Sequence, residues 1–510
     1  MQVEPAQHAF FCHPVCDVRL PAWLMQVEPR SVRFSTRFGQ PPVAVFATVI
    51  PGPCTSRNAE SYGDTDTSGG KRMIDQESTT LAPITPSQPE ERPPTAAVAS
   101  NGWRRYTWLF WVLMGPGLLA MIGDNDAGGV IEYAVTGMQF GIGFFIPFVL
   151  CLAPLTYTIQ EMTMRLGAVT QTGYPRLIFR HFGRGWGYYS IGTLVIENLL
   201  TLMTEFIGMT AGLVMLGVPL WIADAGCLSL VVSLALFTGY WTKERLALFV
   251  GALNAVFLLI ALLTHPSFSA VGRAFASWSI PVGMHSHIVW FVIATVGNAI
   301  APWMIFFQGS AVIDKGITAK QLRMGRIDTL LGSAVQVIIA TAIILCGAAL
   351  YGRMTPANAP DPATIISALS GASGHVAAVL FAFGLFNAGF LAAITISLSS
   401  SWTIADAFGW SRSLNDKISG APKFYAFYVG SLVVAAAAIL LPHLPLNFIA
   451  VLSQAVGAMV MIPILLFLVL LTSRKSIMGS YANTFLTRIW GGAIVALLMG
   501  LTVLLMAQAL

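Results

Sequence analysis

The sequence predicts an all-α polytopic membrane protein, and three observations carry that prediction. Of its 510 residues, 55% are hydrophobic and only 10% are charged, with a mean hydropathy of +0.71. A soluble protein carries roughly 25% charged residues. The scarcity is also uneven: residues 1–106 hold 20 of the charged side chains, which leaves 31 for the 404 residues from Thr107 onward, roughly 8%. Finally, that second part divides into hydrophobic stretches close to the ~20 residues a helix needs to cross a bilayer.

The first hundred residues are rich in Pro, Ser, Thr and charge, as in SYGDTDTSGGKR and ITPSQPEERPPT, and they lack the continuous apolar run of a secretory signal. Residues 1–102 are therefore expected to be a disordered extension, because such a chain cannot bury enough apolar surface to offset its entropy. The pentapeptide Met1–Pro5 recurs at Met25–Pro29, which raises Met25 or Met73 as the true start of translation. Cys12 and Cys16 flank His13, but a zinc site needs further ligands at a workable spacing. The six cysteines show no regular spacing, so no disulfide framework is expected.

Eleven spans follow, approximately 107–138, 142–164, 187–215, 219–239, 246–264, 288–313, 328–350, 376–405, 424–441, 447–471 and 487–508. The first ten form a core over residues 103–475, and residues 476–510 supply an eleventh helix. Arg104 and Arg105 precede span 1; Arg165, Arg176, Arg180 and Arg184 separate spans 2 and 3; Lys243 and Arg245 separate spans 4 and 5. Lys315, Lys320, Arg323 and Arg326 follow span 6, Arg412, Lys417 and Lys423 follow span 8, and Arg474, Lys475 and Arg488 follow span 10. The opposite loops hold only Arg273 and Arg353. By the positive-inside rule the N-terminus is cytoplasmic and the C-terminus outside. The net charge of +5 is thus topological, and no nucleic-acid partner is implied.

Two spans are too interrupted to be plain helices. Span 1 carries Asp124, Asn125, Asp126, Gly128 and Gly129 at mid-membrane depth, and span 6 carries Gly297, Asn298 and Pro302 at a similar depth. Proline removes a helix donor and clashes one turn back, and glycines beside aspartates weaken the helix further. Spans 1 and 6 are corresponding members of two five-helix halves, and paired broken helices at matching positions point to a transporter binding site. Packing kinks would account for the glycines, but not for two aspartates in lipid. Carboxylates, freed carbonyls and a half-helix C-terminus suit a hard cation. No Lys or Arg falls within a span interior to hold an anion, and all eight histidines lie outside the spans.

From Trp103 to Leu510 the sequence resembles the NRAMP family of divalent-metal transporters. Gly115-Pro116-Gly117 followed by Asp126-Ala127-Gly128-Gly129 resembles the family's GPG and DPGN in helix 1; Arg165–Thr170 resembles its signature after helix 2; Glu205–Gly208 (EFIG) lies in helix 3; Gly297–Pro302 (GNAIAP) lies on its G-A-x-x-M-P; Ser453-Gln454 resembles a segment of helix 10. The resemblance implies a LeuT-like fold of two inverted five-helix repeats plus an eleventh helix. It also implies that Asp126 is the metal-binding aspartate, that Gly129 stands where the family has an asparagine ligand, and that Ala301 stands where it has a methionine. Trp303 replaces a histidine, and Leu202 replaces the helix 3 aspartate associated with proton movement. These departures resemble the magnesium-transporting branch of the family.

The expected cargo is Mg²⁺, with Mn²⁺ also carried, taken up through the plasma membrane of a bacterium without a coupled proton. The small side chains at 129 and 301 are expected to enlarge the cavity so that the ion keeps much of its water. Asp126 is the principal ligand; Asp124 either joins it or faces a water-filled vestibule. Asn298 contributes its backbone carbonyl while its side chain holds water, and Gln454 either packs span 10 or reaches the ion. Glu132 is expected to line a vestibule, Glu161 to form a surface ion pair with Arg165, and Glu197 and Glu205 to pair, hydrate or hold a residual proton. The partners expected are the ion and the lipid bilayer, with no cofactor, no enzymatic activity and no obligate protein partner. Two alternatives share the fold: a proton-coupled Mn²⁺/Fe²⁺ transporter, which wants thioether and imidazole at 301 and 303, and an amino-acid transporter, which wants a cation for its substrate's carboxylate. A non-transporting receptor would carry an ordered soluble signalling domain.

Overall fold

The computed structural model describes residues 115–237, 240–279, 288–355, 357, 361–411 and 418–509. The expected N-terminal extension, its alternative starts and the arginine pair before span 1 lie outside the described residues. Among those residues the regular secondary structure is entirely helical. Span 1 consists of two half-helices, Pro116–Gly123 (1a) and Ala127–Phe140 (1b). Span 2 is Phe145–Thr170, span 3 Arg184–Met215 and span 4 Leu220–Phe237. Span 5 comprises Tyr240–Leu253 and Val256–Leu263, and span 6 comprises Ile288–Ala299 (6a) and Pro302–Asp314 (6b). Leu322–Ala348, His375–Phe408, Pro422–Ile439, Leu446–Ser473 and Phe485–Ala509 are spans 7 to 11. Shorter helices at Tyr174–Phe182, Phe268–Ser277 and Pro362–Ser373 lie between spans.

Nine helices among the described residues are long and apolar enough to cross a membrane. Span 1, interrupted at its middle, and span 4, whose apolar stretch Leu220–Leu234 is shorter, bring the number to the expected eleven. Corresponding members of the two halves pack on each other: span 2 on 7, span 3 on 8, and span 4 on 9. In spans 1 and 6 the pairing is crossed, with 1a on 6b and 1b on 6a. Crossed contact is what an inverted repeat produces, since its symmetry axis lies in the membrane plane and exchanges the two ends. Span 11 lies outside the repeat against spans 2, 6a and 10.

Two expectations about the helices are corrected. Span 5 breaks at Asn254–Ala255, where neither Gly nor Pro stands. The cause is tertiary: buried Asn254 accepts a 2.6 Å hydrogen bond from Asn387 Nδ2 of span 8 and donates to the Ile122 carbonyl of 1a at 3.5 Å. Span 2 continues six residues beyond its expected end, to Thr170, and so carries Arg165 within it as a buried side chain. The rule that no basic residue enters a span interior therefore fails there. The pair with Glu161 is not a surface one: Glu161 is also buried and holds Arg165 at 3.0 Å and Arg326 at 2.9 Å.

Candidate functional site: two crossed helix breaks

The chain leaves the helix at Gly123 because Asp124, Asn125 and Asp126 offer side-chain partners that compete with the helix ladder. Asp126 is extended (φ −72°, ψ 172°) and caps 1b, its Oδ1 accepting the Gly129 N–H at 2.5 Å. On span 6, Pro302 opens 6b at the position where its missing N–H costs nothing, and Ala301 before it is extended (φ −59°, ψ 141°). Gly297 lets the backbone of span 10 lie directly against 6a, for a Cβ there would run into the Gln454 carbonyl.

Two carboxylates converge on the start of 1b, the positive end of a half-helix. Besides the Asp126 cap, Glu205 Oε2 of span 3 accepts the Ala127 N–H at 2.8 Å. Gln454 of span 10 does reach the break, with Nε2 3.4 Å from Asp126 Oδ1. Asp124 is held by Gln336 of span 7, whose Nε2 also donates to the Ala299 carbonyl at 3.0 Å. One side chain thus ties the end of 6a to the break of span 1. Asp124 is 1% exposed, so the vestibule-facing alternative does not describe this conformation.

Asn298 corrects the expectation for Gly129, and its own side chain finds direct protein partners at the break. Its side-chain Nδ2 donates to the Gly129 carbonyl at 3.3 Å and to Glu132 Oε2 at 3.2 Å, so the side chain and not only the backbone acts at the break. A Cβ placed on Gly129 would lie 2.9 Å from Asn298 Cγ and closer still to its amide atoms. The absence of a side chain at 129 therefore does not open the cavity; it makes room for Asn298. Glu132, expected to line a vestibule, is wholly buried, with Oε1 accepting from Thr136 and Thr295, each at 2.8 Å. Ala301 is buried at the head of 6b and presents only a methyl group, and Trp303 packs toward Gly123. Glu197 and Glu205 do not pair: Glu197 accepts from Thr201 at 2.9 Å, one turn further along its own helix.

Four oxygens on these residues are buried and have no hydrogen-bond partner: Asp124 Oδ1, Asn125 Oδ1, Asn298 Oδ1 and Gln336 Oε1. Leaving a buried acceptor unpaired costs about 1–3 kcal/mol, so four at one double break constitute a set of acceptors without a donor. Among the described residues no three of His, Cys, Asp and Glu gather as a metal cluster. The donors on offer are oxygens, of which carboxylates are a minority.

Sequence reasoning missed Gln336 and Asp328. Asp328 of span 7 accepts the N–H groups of Gly115 (3.2 Å), Gly117 (2.7 Å) and Leu118 (3.1 Å), so it caps 1a from another helix. The available signal was a polar residue in an otherwise apolar span, which is expensive and functional by default. The Gly129 geometry makes a prediction. Gly129→Ala should lower stability by about 1–3 kcal/mol through overpacking, and adding Asn298→Ala should recover part of that loss. Thermal unfolding of the single and double variants in detergent measures the coupling; a double variant that simply adds the two single losses would refute the contact.

Residues 117–508 match the Nramp family, described as natural resistance-associated macrophage protein-like. A divalent metal cation transporter MntH of Aeromonas hydrophila is 24% identical over 407 residues, spanning 77% of this chain and 95% of that protein. The MntH of Levilactobacillus brevis is 24% identical over 420 residues, spanning 78% and 89%. A crystal structure of the Eremococcus coleocola manganese transporter, in complex with an aromatic bis-isothiourea substituted compound, superposes with a TM-score of 0.63 at 19% identity. That likeness covers 79% of this chain and 87% of the other, and it establishes the shared fold.

Proposed function

Since the chain belongs to the Nramp family, we propose that it is a secondary transporter which carries a hard divalent cation, Mg²⁺ first and Mn²⁺ also, by alternating access. Transport of a divalent metal cation is what the MntH relatives are named for. The observation that carries the finer reading is the donor set at the crossed breaks. Asp124 and Asp126 supply charge, and the unpartnered oxygens of Asn125, Asn298 and Gln336 supply neutral acceptors. Mg²⁺ prefers oxygen in octahedral geometry and keeps several of its waters. A thioether or imidazole would favour the softer transition metals, and positions 301 and 303 hold Ala and Trp. Asp126 is the principal ligand in this reading, Asp124 the second, and Gln454 orients Asp126 from span 10. Gly129 and Ala301 shape the site without donating side-chain atoms to it.

Uptake needs no coupled proton on energetic grounds. A divalent ion moving inward gains about 4–5 kcal/mol per 100 mV, from ~2.3 per elementary charge, and Leu202 offers no carboxyl where the resemblance places the proton-linked aspartate. The basic loops put the N-terminus in the cytoplasm, residues 103–475 form the transporting core, and the membrane is the plasma membrane of a bacterium. Proteoliposomes assayed with Mg²⁺ and Mn²⁺ while internal pH is recorded test the whole reading. We expect saturable Mg²⁺ uptake driven by a negative internal potential, with no acidification. Mn²⁺-only uptake accompanied by acidification would establish the proton-coupled alternative instead.

A further inference from the structure

A cavity of mixed polar and apolar lining lies apart from the helix breaks. The ends of spans 2 and 7 that adjoin the basic loops, the connection between spans 10 and 11 and the start of span 11 line an open hollow of about 600 Å³. Glu161 and Arg165 stand in its wall, and Arg165 is fully engaged: Nε and Nη2 hold Glu161, Nη1 donates to the Tyr481 carbonyl at 2.5 Å, and Nη2 donates to Asn483 Oδ1 at 2.7 Å. Arg326 is different. It meets Glu161 through Nε alone at 2.9 Å, and its side chain is 49% exposed. One carboxylate against two guanidiniums leaves the wall with a net positive charge.

The opposite wall adds to it. Span 11 begins here, with Thr484 Oγ1 accepting the Thr487 N–H at 3.3 Å and lying 2.9 Å from the Thr487 hydroxyl. The first amides of this 25-residue helix carry its positive end. Ser480 lines the cavity as well. Elsewhere in the lining the character changes: Leu486 is 77% exposed, beside the equally exposed Phe485 in the chain, and half-exposed Trp490 donates Nε1 to the Thr158 hydroxyl at 3.1 Å. Exposed apolar side chains with a hydrogen-bonded tryptophan beside basic residues mark the depth of a membrane interface.

We propose that this cavity binds the phosphate of an anionic phospholipid, with Arg326, Ser480, Thr487 and the span 11 N-terminus around the headgroup and the acyl chains over Phe485 and Leu486. A basic pocket between helices on the cytoplasmic side is suited to such headgroups. The bound lipid would fasten peripheral span 11 to spans 2 and 7. The shared chemistry is a phosphate, and the apolar rim is what selects a lipid over a free ion.

The test uses the full-length protein in neutral detergent, with lipid adducts read by native mass spectrometry and stability by thermal unfolding. Phosphatidylglycerol should be retained and raise the midpoint, while phosphatidylcholine does neither. Arg326→Gln should weaken retention about fivefold, the weight of one basic side chain at an anionic surface (~1 kcal/mol). Thr487→Val, which leaves the Glu161 pairs untouched, should weaken it about twofold to tenfold, as for one neutral hydrogen bond. Equal retention of both lipids, a full midpoint shift from inorganic phosphate alone, or retention unchanged in both variants would each overturn the proposal.

Discussion

Asp126→Asn is expected to lower Mg²⁺ flux in proteoliposomes by about a hundredfold or more while leaving the melting temperature close to that of the unsubstituted protein. The bound is set by second-sphere changes, which already cost 10–100-fold in metal affinity; loss of a charged ligand should exceed them. The stability half of the expectation follows from the cap. Asp126 Oδ1 accepts the Gly129 N–H at 2.5 Å, and an asparagine oxygen can do the same, since Asn and Asp are about equal at this position of a helix. Asp126→Ala removes both functions, so it should lose flux and about 1 kcal/mol of stability together. The pair of variants separates ligand from cap. Flux in the asparagine variant within a fewfold of the original would move the site away from Asp126.

The parts of this fold that could be read from sequence are those encoded by residue type at one place. Pro302 and the Asp124–Asp126 run declare their helix breaks locally, because a missing donor and competing side chains act on the adjacent backbone. The break in span 5 declares nothing: Asn254 is a modest helix former held out of the helix by Asn387, 133 positions away in the chain. The same distinction runs through the candidate site. Asp124 and Asp126 stand out because carboxylates in lipid are costly, whereas Gln454 is flagged only by the helix 10 resemblance, which leaves packing and reaching the ion open; the structure brings it to Asp126. Gly129 looked like empty space because nothing in the sequence says that the Asn298 side chain, from the other repeat, occupies it. Gln336 joins the two breaks but carries no local signal of doing so, because the sequence around it is uninterrupted helix; its role depends on where span 7 crosses spans 1 and 6.

Arg165→Met is expected to be among the most destabilising single substitutions in the protein, by about 3–5 kcal/mol. The side chain is 6% exposed and satisfies three partners from separate parts of the chain: Glu161 on its own helix, the Tyr481 carbonyl and Asn483 Oδ1 in the connection to span 11. Methionine fills comparable space but leaves the carboxylate short of one partner and two further acceptors with none. Arg326 does not make up the loss, because it meets the other oxygen of Glu161 and its own side chain is half in solvent. Arg165→Lys should fall between the two, since a single ammonium cannot span the fork that guanidinium offers. The diagnostic variant is Arg165→Met combined with Glu161→Gln. If the cost arises from stranding a buried charge, neutralising that charge should return a substantial part of the lost stability. If it arises instead from releasing the 481–483 segment, the double variant will melt no higher than Arg165→Met alone. Thermal unfolding in detergent distinguishes these outcomes, and it assigns the joint between spans 2, 7 and 11 either to electrostatics or to backbone anchoring.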